Sequence, residues 1–460
     1  MFVPSTSVAE IGWPAIPGGG AAAVLSVLFQ LEQSQWLSAD ELQARQREQL
    51  ARVIRHAYRT VPFYQTRFDQ TGLDPEGVGT PERFCQFPPL TRRDVQLTQQ
   101  LLHSTEVPKA HGRVTSTVTS GSTGAPVAVL GTDVTQFFWR ALTLRDHLWH
   151  HRDFSQTFAS IRYNKTGGKY PTGDRATNWG VATDGVFATG PAYMLSIRSS
   201  LEEQAEWLER INPRYLLSYP SVFKALAHHF QIHGRTVPNL RELRSFGEIL
   251  EPDCRAACQA AWRVPVVDMY SSQEVGYVTL QCPETENHHV QSESVLVEVL
   301  DDAGDACAPG EIGRVVVSTL HNFAMPLLRY EIGDFAEVGE SCPCGRGLPV
   351  LKRILGRQRN LLTFPTGERR WPLFAEAGRP EDLPPFFQFQ IIQRSLDEVD
   401  VFVVRHAPFT APEETIVKRY IQQTLGHPFI ITLRVVAEIP RSVTGKFEDF
   451  ISHVNPAHSP

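Results

Sequence analysis

Apolar residues recur at helical spacing early in the chain. Leu42, Leu50, Val53, Ile54, Ala57 and Tyr58 share one stripe. Ser38 and Asp40 are suitable caps ahead of it, and the pattern predicts one helix over residues 39–68. Further on, strand and helix patterns alternate. Residues 114–119 and 127–131 are rich in β-formers and flank a Gly/Ser/Thr stretch. Residues 133–151 read as a helix, with Thr132 or Asp133 as cap. Two more helices follow at 201–211 and 221–233, with a short strand at 214–218 between them. Residues 264–269 read as a buried strand, and 295–300 and 313–319 alternate like paired strands. Near Gly356 the composition shifts, and a small pattern follows: strands at 387–393 and 399–405, a helix at 412–425 and a strand at 429–436. The mixture predicts an α/β (mixed α+β) chain, with a large domain over residues 1–356 and a small α+β domain over 357–460. Residues 1–20, rich in Pro, Gly and Ser, read as loosely held. The apolar run at 21–29 is short and is followed by Gln30, Glu32 and Gln33, so it reads as a buried helix and not a membrane span.

Bulk properties narrow the partners. A chain of 460 residues exceeds one core of usual size, which agrees with two domains. The net charge of −6 offers no electrostatic case for nucleic acid or an anionic membrane. The first basic residue is Arg45, so the basic opening of a secretory signal is missing. Seven cysteines, an odd number at irregular spacing, do not suggest a disulfide framework. A cytoplasmic protein with reduced thiols is expected.

Thr117-Val118-Thr119-Ser120-Gly121-Ser122-Thr123-Gly124-Ala125-Pro126 carries the most chemistry. Its glycines let the main chain approach an anion, and its hydroxyls add donors without bulk, as a triphosphate cradle requires. No Gly-Lys-Ser/Thr follows, so it is not a Walker A loop; a hydroxyl-rich hairpin is the plainer reading. Thr119, Ser120, Gly121, Ser122, Thr123 and Gly124 together resemble the phosphate loop of the adenylate-forming superfamily of acyl-CoA synthetases, adenylation domains and luciferases. Those loops often carry a lysine soon after the second glycine; here Val127 fills the place. That absence is common in the phenylacetate-CoA ligase and CapK-like branch. The opening text, His56-Ala57-Tyr58-Arg59-Thr60-Val61-Pro62-Phe63-Tyr64 and then Phe87-Pro88-Pro89-Leu90-Thr91-Arg92, is similar to that branch too. The resemblance spans about residues 40–452.

Further motifs follow in the family's order, and the resemblance supplies their roles. Phe246-Gly247-Glu248 resembles the adenine-side loop, where a glycine after a short strand lets a flat base lie against the backbone. Tyr270-Ser271-Ser272-Gln273-Glu274 resembles the Tyr-Gly-x-Thr-Glu motif, with Ser271 for glycine and Gln273 for threonine. It implies that Glu274 holds Mg²⁺, a hard cation preferring carboxylate and phosphate oxygens, and that Tyr270 packs beside the adenine or the acyl group. Arg329-Tyr330-Glu331-Ile332-Gly333-Asp334 resembles an element in which the aspartate accepts hydrogen bonds from ribose hydroxyls. Gly356-Arg357 resembles the inter-domain element, with Arg357 a phosphate or ribose contact; the hinge position has Arg359 where the family usually has Asp or Lys. Ile439-Pro440-Arg441-Ser442-Val443-Thr444-Gly445-Lys446 resembles the C-terminal Gly-Lys loop. Lys446 is thereby the candidate catalytic residue, stabilising the charge that develops on the α-phosphate.

Cys342-Pro343-Cys344 is a tight thiol pair, with Cys282, His288 and His289 upstream. Cys₃His is a normal structural zinc set; ordinary reduced cysteines are the alternative. A Cys…His-Val…Cys-x-Cys-Gly-Arg pattern resembles a feature of the same branch. It favours His289, which directly precedes Val290, and gives Cys282, His289, Cys342 and Cys344 as ligands of structural Zn²⁺.

The function implied is ATP- and Mg²⁺-dependent activation of a carboxylic acid, aryl or otherwise small, as acyl-AMP. Transfer to an acceptor follows, CoA first, with the small domain acting as a mobile lid. Amide formation or carrier-protein loading is the nearest alternative. A non-catalytic nucleotide-binding scaffold is the other class, against which Glu274, Asp334 and Lys446 argue. A monomer or homodimer is expected.

Overall fold

The computed structural model describes residues 4–11, 13–77, 81–118, 127–372, 380, 382–405, 407–442 and 445–454. The chain forms two compact units that interleave along the sequence. One comprises Met1–Thr157, Arg175–Ala192 and Asp268–Ile354; the other comprises Phe158–Asp174, Tyr193–Val267 and Leu355–Pro460.

In the first unit the helix expected over 39–68 is two helices, Ala39–Thr60 and Pro62–Thr71. Val61 leaves helical backbone (φ −114°, ψ 108°), as a residue before proline favours. Pro62, lacking an N–H, starts the second helix instead. The turn carries Tyr64 and Phe68 into a core shared with Phe87, Leu90, Val317 and Leu328. Among the described residues ahead of helix Gly19–Ser34, expected to be loosely held, Ser5 is tied down: its N–H donates to the Val186 carbonyl at 2.8 Å. Helix Gly19–Ser34 buries Ala21, Val24, Leu28 and Leu31 but leaves Phe29 exposed, so it is a surface helix with one buried stripe. Among the described residues no helix is long and apolar enough to cross a membrane.

The sheet of this unit runs, in spatial order, through Val295–Leu300, Ile312–Thr319, Tyr330–Val338, Val350–Arg357, His288–Val290, Gly276–Gln281 and Val266–Ser272. Separately, Val114–Val118 pairs antiparallel with Ala128–Thr132, Val118 opposite Ala128. The phosphate-loop candidates Thr119, Ser120, Gly121, Ser122, Thr123 and Gly124 connect these strands and lie outside the described residues.

The second unit has a parallel layer. Phe158–Arg162 pairs with Tyr215–Ser218, which pairs with Glu242–Phe246. Helices Leu201–Ile211, Pro220–Ile232 and Pro252–Trp262 follow the strands, and Trp207, Phe223, Phe230 and Leu243 fill the core. The last hundred residues add their own four-stranded sheet, in which Gln388–Gln393 lies between Glu398–Val404 and Phe450–Ser452, with Ile430–Val436 at the edge. Helix Ala411–Leu425 packs Val417, Ile421 and Leu425 into a core with Val401, Val403 and Phe429.

Candidate active site and metal centre

In the first unit, Tyr270, Ser271 and Ser272 end the strand Val266–Ser272 and do not follow it. A register shift between Tyr270 and Ser271 interrupts the pairing, and such bulges re-aim side chains. Ser272 then pairs with Gly276, leaving Gln273, Glu274 and Val275 as a three-residue hairpin loop. Gly276 sits at φ 82°, where glycine is the favoured residue. Glu274 thus stands at the loop, with the Arg92 guanidinium 3.2 Å from its carboxylate. Tyr270 donates its hydroxyl hydrogen to Asp334 at 2.8 Å, and Asp334 follows Gly333, at φ 89°, on strand Tyr330–Val338. Arg329, nearly fully buried, pairs with Glu298 at 2.9 Å and donates to the Phe87 carbonyl at 2.6 Å. The opening motif and the Gly-Asp motif, far apart in sequence, therefore lock together.

In the second unit the Lys446 turn lies against the Gly247 loop. Gly247 has φ 77°; a Cβ there would lie 3.4 Å from Lys446 Cε and 3.4 Å from the Tyr219 ring. Gly445 has φ 82°, and a Cβ there would come within 2.9 Å of Ile197. Backbone sign favours glycine at both positions, and at Gly445 close approach to Ile197 requires it as well. Glu248, expected on the adenine side, accepts the Ser221 N–H at 3.0 Å and the Phe447 N–H at 2.6 Å. Arg441 stands 3.5 Å from the same carboxylate. Burial pushes Glu248 above its ordinary range, and the Arg441 charge and the Ser221 and Phe447 contacts oppose that rise.

Arg359 pairs with Glu448, its Nε at 2.8 Å. The Arg357 N–H donates to Asn360 Oδ1 at 3.0 Å, and Asn360 in turn donates to Glu448 at 3.0 Å. Lys224 pairs with Asp253 at 2.5 Å. Burial raises Asp449, whose charge Lys224 offsets. Spacing along the chain did not point to the contacts of Arg92, Ser221, Lys224, Asp253, Asp449 and Arg441. Arg92 and Arg441 stand inside the quoted motifs, but their partners are not readable from spacing.

The third cluster joins Cys282, His289, Cys342 and Cys344, whose ligand atoms all lie within 4.8 Å of one another. Cys282 follows strand Gly276–Gln281, His289 sits in His288–Val290, and the two later cysteines share a turn. The Sγ atoms of Cys342 and Cys282 are 3.8 Å apart, and Cys344 Sγ is 3.3 Å from His289 Nε2. Tetrahedral zinc with Zn–S bonds of about 2.3 Å implies S···S edges of about 3.8 Å, whereas a disulfide needs about 2.05 Å. Burial holds His289 neutral, down to about 4, as a ligand must be. Burial raises Cys342, but the Cys344 N–H and the Thr285 and Asn287 side chains outweigh it and bring the thiol to about 7. Burial pushes Cys344 up to about 11. The donor set fits zinc. His288 turns away, its Nδ1 3.1 Å from the Thr279 hydroxyl.

The chain is similar to known proteins. Residues 386–453 match the family model of the CapK C-terminal domain. The chain is 26% identical to the phenylacetate-coenzyme A ligase of Thermus thermophilus, over 89% of this chain and 96% of that protein. It is 26% identical to the phenylacetate-coenzyme A ligase of Escherichia coli, over 81% of this chain and 85% of that protein. The crystal structure of 2-hydroxyisobutyryl-CoA ligase in the postadenylation state superimposes with a TM-score of 0.73 at 20% identity, covering 92% and 91% of the two chains. The chain therefore has the adenylate-forming fold. Within that class, the resemblance to the phenylacetate-CoA ligase and CapK-like branch is borne out.

Proposed function

We propose that the chain is an ATP-dependent acid–CoA ligase acting in the cytoplasm on an aryl or other small carboxylic acid. The observation that carries this reading is the Lys446 turn, seated on the Gly247 loop beside Tyr219. The reaction has two steps. The substrate carboxylate attacks the α-phosphorus of ATP, the bond to the bridging oxygen breaks, and pyrophosphate leaves. The CoA sulfur then attacks the acyl carbon of the acyl-AMP, loses its proton, and AMP leaves.

Lys446 offers a positive charge to the α-phosphate and carboxylate oxygens, where charge develops in the first step. Asp334, already an acceptor for the Tyr270 hydroxyl, accepts from the ribose. Gly247 leaves room for the base. The hydroxyls and N–H groups of Thr119, Ser120, Gly121, Ser122, Thr123 and Gly124 serve the β- and γ-phosphates, and Arg357 adds a phosphate or ribose contact. Glu274 would hold Mg²⁺, which neutralises phosphate charge when bound. Cys282, His289, Cys342 and Cys344 would hold a structural Zn²⁺, because four protein ligands leave no open position. Residues 357–460 form the lid, with Arg359 at the hinge. An aryl acid is supported by the Tyr219 ring beside the Gly247 and Gly445 turns, with the Phe246 ring 4.7 Å from it.

The test is ATP–pyrophosphate exchange across aryl and small aliphatic acids, followed by mass spectrometry of products with and without CoA. Acid-dependent exchange and a CoA thioester are expected. Exchange with none of a broad panel, from folded protein, overturns the reading. An amide, or exchange without thioester formation, overturns the acceptor.

A further inference from the structure

The residues flanking Lys446 are gripped from both sides. The Phe447 N–H donates to Glu248 Oε1 at 2.6 Å. On the other side the Gly445 carbonyl accepts from Arg441 Nη1 at 3.1 Å. That same Nη1 donates to the Ser221 hydroxyl at 2.7 Å and stands 3.5 Å from Glu248 Oε1. The Ser221 N–H donates to the second oxygen of Glu248 at 3.0 Å. Within the turn, the Lys446 N–H donates to the Ser442 hydroxyl at 3.0 Å, and the Ser442 N–H donates to the Lys446 carbonyl at 2.9 Å.

The Glu248 side chain is only 5% exposed. A carboxylate removed from water needs compensating donors, and each of its partners belongs either to the lysine turn or to the start of helix Pro220–Ile232. A carboxylate meant to receive a ligand group would not be committed in this way to main-chain groups on either side of a distant lysine.

We infer that Glu248 and Arg441 are positioning residues for Lys446, a clasp between the Gly247 loop and the C-terminal turn that orients the lysine for acyl-AMP formation. This rests on the proposed role of Lys446. The clasp holds the backbone on both sides of that residue, with the Arg441 guanidinium also 5.5 Å from the Phe447 ring centroid, so its effect is geometric. A reacting group displaced by about 1 Å can cost on the order of 10²-fold in rate. Acyl transfer to CoA does not use the lysine at the α-phosphate and does not need the clasp.

The test compares half-reactions in Glu248→Ala, Glu248→Gln, Arg441→Met and Lys446→Ala. ATP–pyrophosphate exchange reads the first step, and thioester formation from synthetic acyl-AMP and CoA reads the second. Glu248→Ala is expected to lower kcat for exchange by about 10²-fold, with KM for ATP and the second step within about twofold, since neither uses the clasp. Glu248→Gln keeps an acceptor for the Phe447 N–H and should recover part of the loss. The double variant Glu248→Ala/Arg441→Met should be no worse than the worse single, as coupled partners require. Equal losses in both half-reactions, tracking a lowered melting temperature, would mean a purely structural pair and overturn the inference. A raised KM for ATP at unchanged kcat would instead make Glu248 an adenine-side contact and also overturn it. If Glu248→Ala does not fold, the near-isosteric Gln variant is read by the same criteria. Normal exchange in Lys446→Ala sinks the underlying reading; a dead Lys446→Ala beside a normal Glu248→Ala sinks the clasp alone.

Discussion

The Cys/His cluster of the first unit and the lysine turn of the second are both built from side chains that converge, but by different means. The cluster spans only Cys282 to Cys344, on adjacent strands and one turn of a single sheet. The sheet register sets its geometry: His289 lies opposite Leu280 on one side and Val350 on the other. The lysine turn is held by residues about two hundred positions away in sequence, through the ion pair and main-chain donors at Glu248 and through Arg441 at Ser221. Those contacts can be exchanged for water and re-formed, whereas a strand register cannot shift without turning its side chains to the other face. Under the proposed role of Lys446, the contrast is between a frame fixed by strand register and an arm held only by side-chain and main-chain contacts that water can replace.

The largest expected effect breaks the frame. Arg145 is nearly fully buried, contacts both oxygens of Glu293 at 3.0 Å and donates to the Leu31 carbonyl at 2.7 Å. Arg145→Met strands that carboxylate and should cost about 3–5 kcal/mol of stability, read by denaturant unfolding. An effect on exchange activity with no loss of stability would contradict the division into frame and arm.

Metal removal comes next. Elemental analysis should find about one zinc per chain, and chelation or Cys342→Ser should lower the unfolding midpoint. A site loaded at about 1,000 times its dissociation constant stabilises by about 4 kcal/mol. Protein free of zinc with an unchanged midpoint would dismiss the metal.

Lys446→Ala strikes the arm. It should slow acyl-AMP formation by about 10²–10³-fold and leave the melting temperature in place, since the side chain passes over Gly247 without being a core residue.

A smaller effect comes from pH. Burial raises Glu293, but the Arg145 charge and hydrogen bonds from Arg145 and Ser34 outweigh it, so its folded value lies below the ordinary one. Its contribution is complete above the ordinary carboxylate range and lost as pH falls through the lowered folded value, at no more than about 1.4 kcal/mol per pH unit for one group. In Glu293→Gln that component of the acid slope should vanish. The smallest expected effect is Tyr270→Phe, which deletes one hydrogen bond to Asp334. About 1 kcal/mol, or roughly fivefold in KM for ATP, is expected.

Much of this was legible from the chain alone. Local periodicity located helix Leu201–Ile211 and strand Val295–Leu300 to the residue, because each is an uninterrupted pattern with clear punctuation. It failed at Val61, where the apolar stripe continues across Pro62 although the backbone does not. Pattern registers side-chain polarity and is blind to a missing N–H unless proline is given priority. The four Cys/His candidates were named in sequence and share one place in the fold. The adenylate-forming resemblance was read from ordered motifs, and the sequence relatives bear out the resemblance itself.

Residue chemistry and spacing, read along one dimension, placed many of the helices and strands and named the Cys282, His289, Cys342 and Cys344 donors. Pairing over long separations was decided only in three dimensions. Arg329 reaches back to Phe87, Arg92 meets Glu274, and Glu248 holds the backbone at Phe447. The reason is physical. A buried charge takes whichever compensating partner the packed chain brings within about 3 Å, and loop closure over hundreds of residues costs only slightly more than over tens, so sequence distance leaves no trace of the choice.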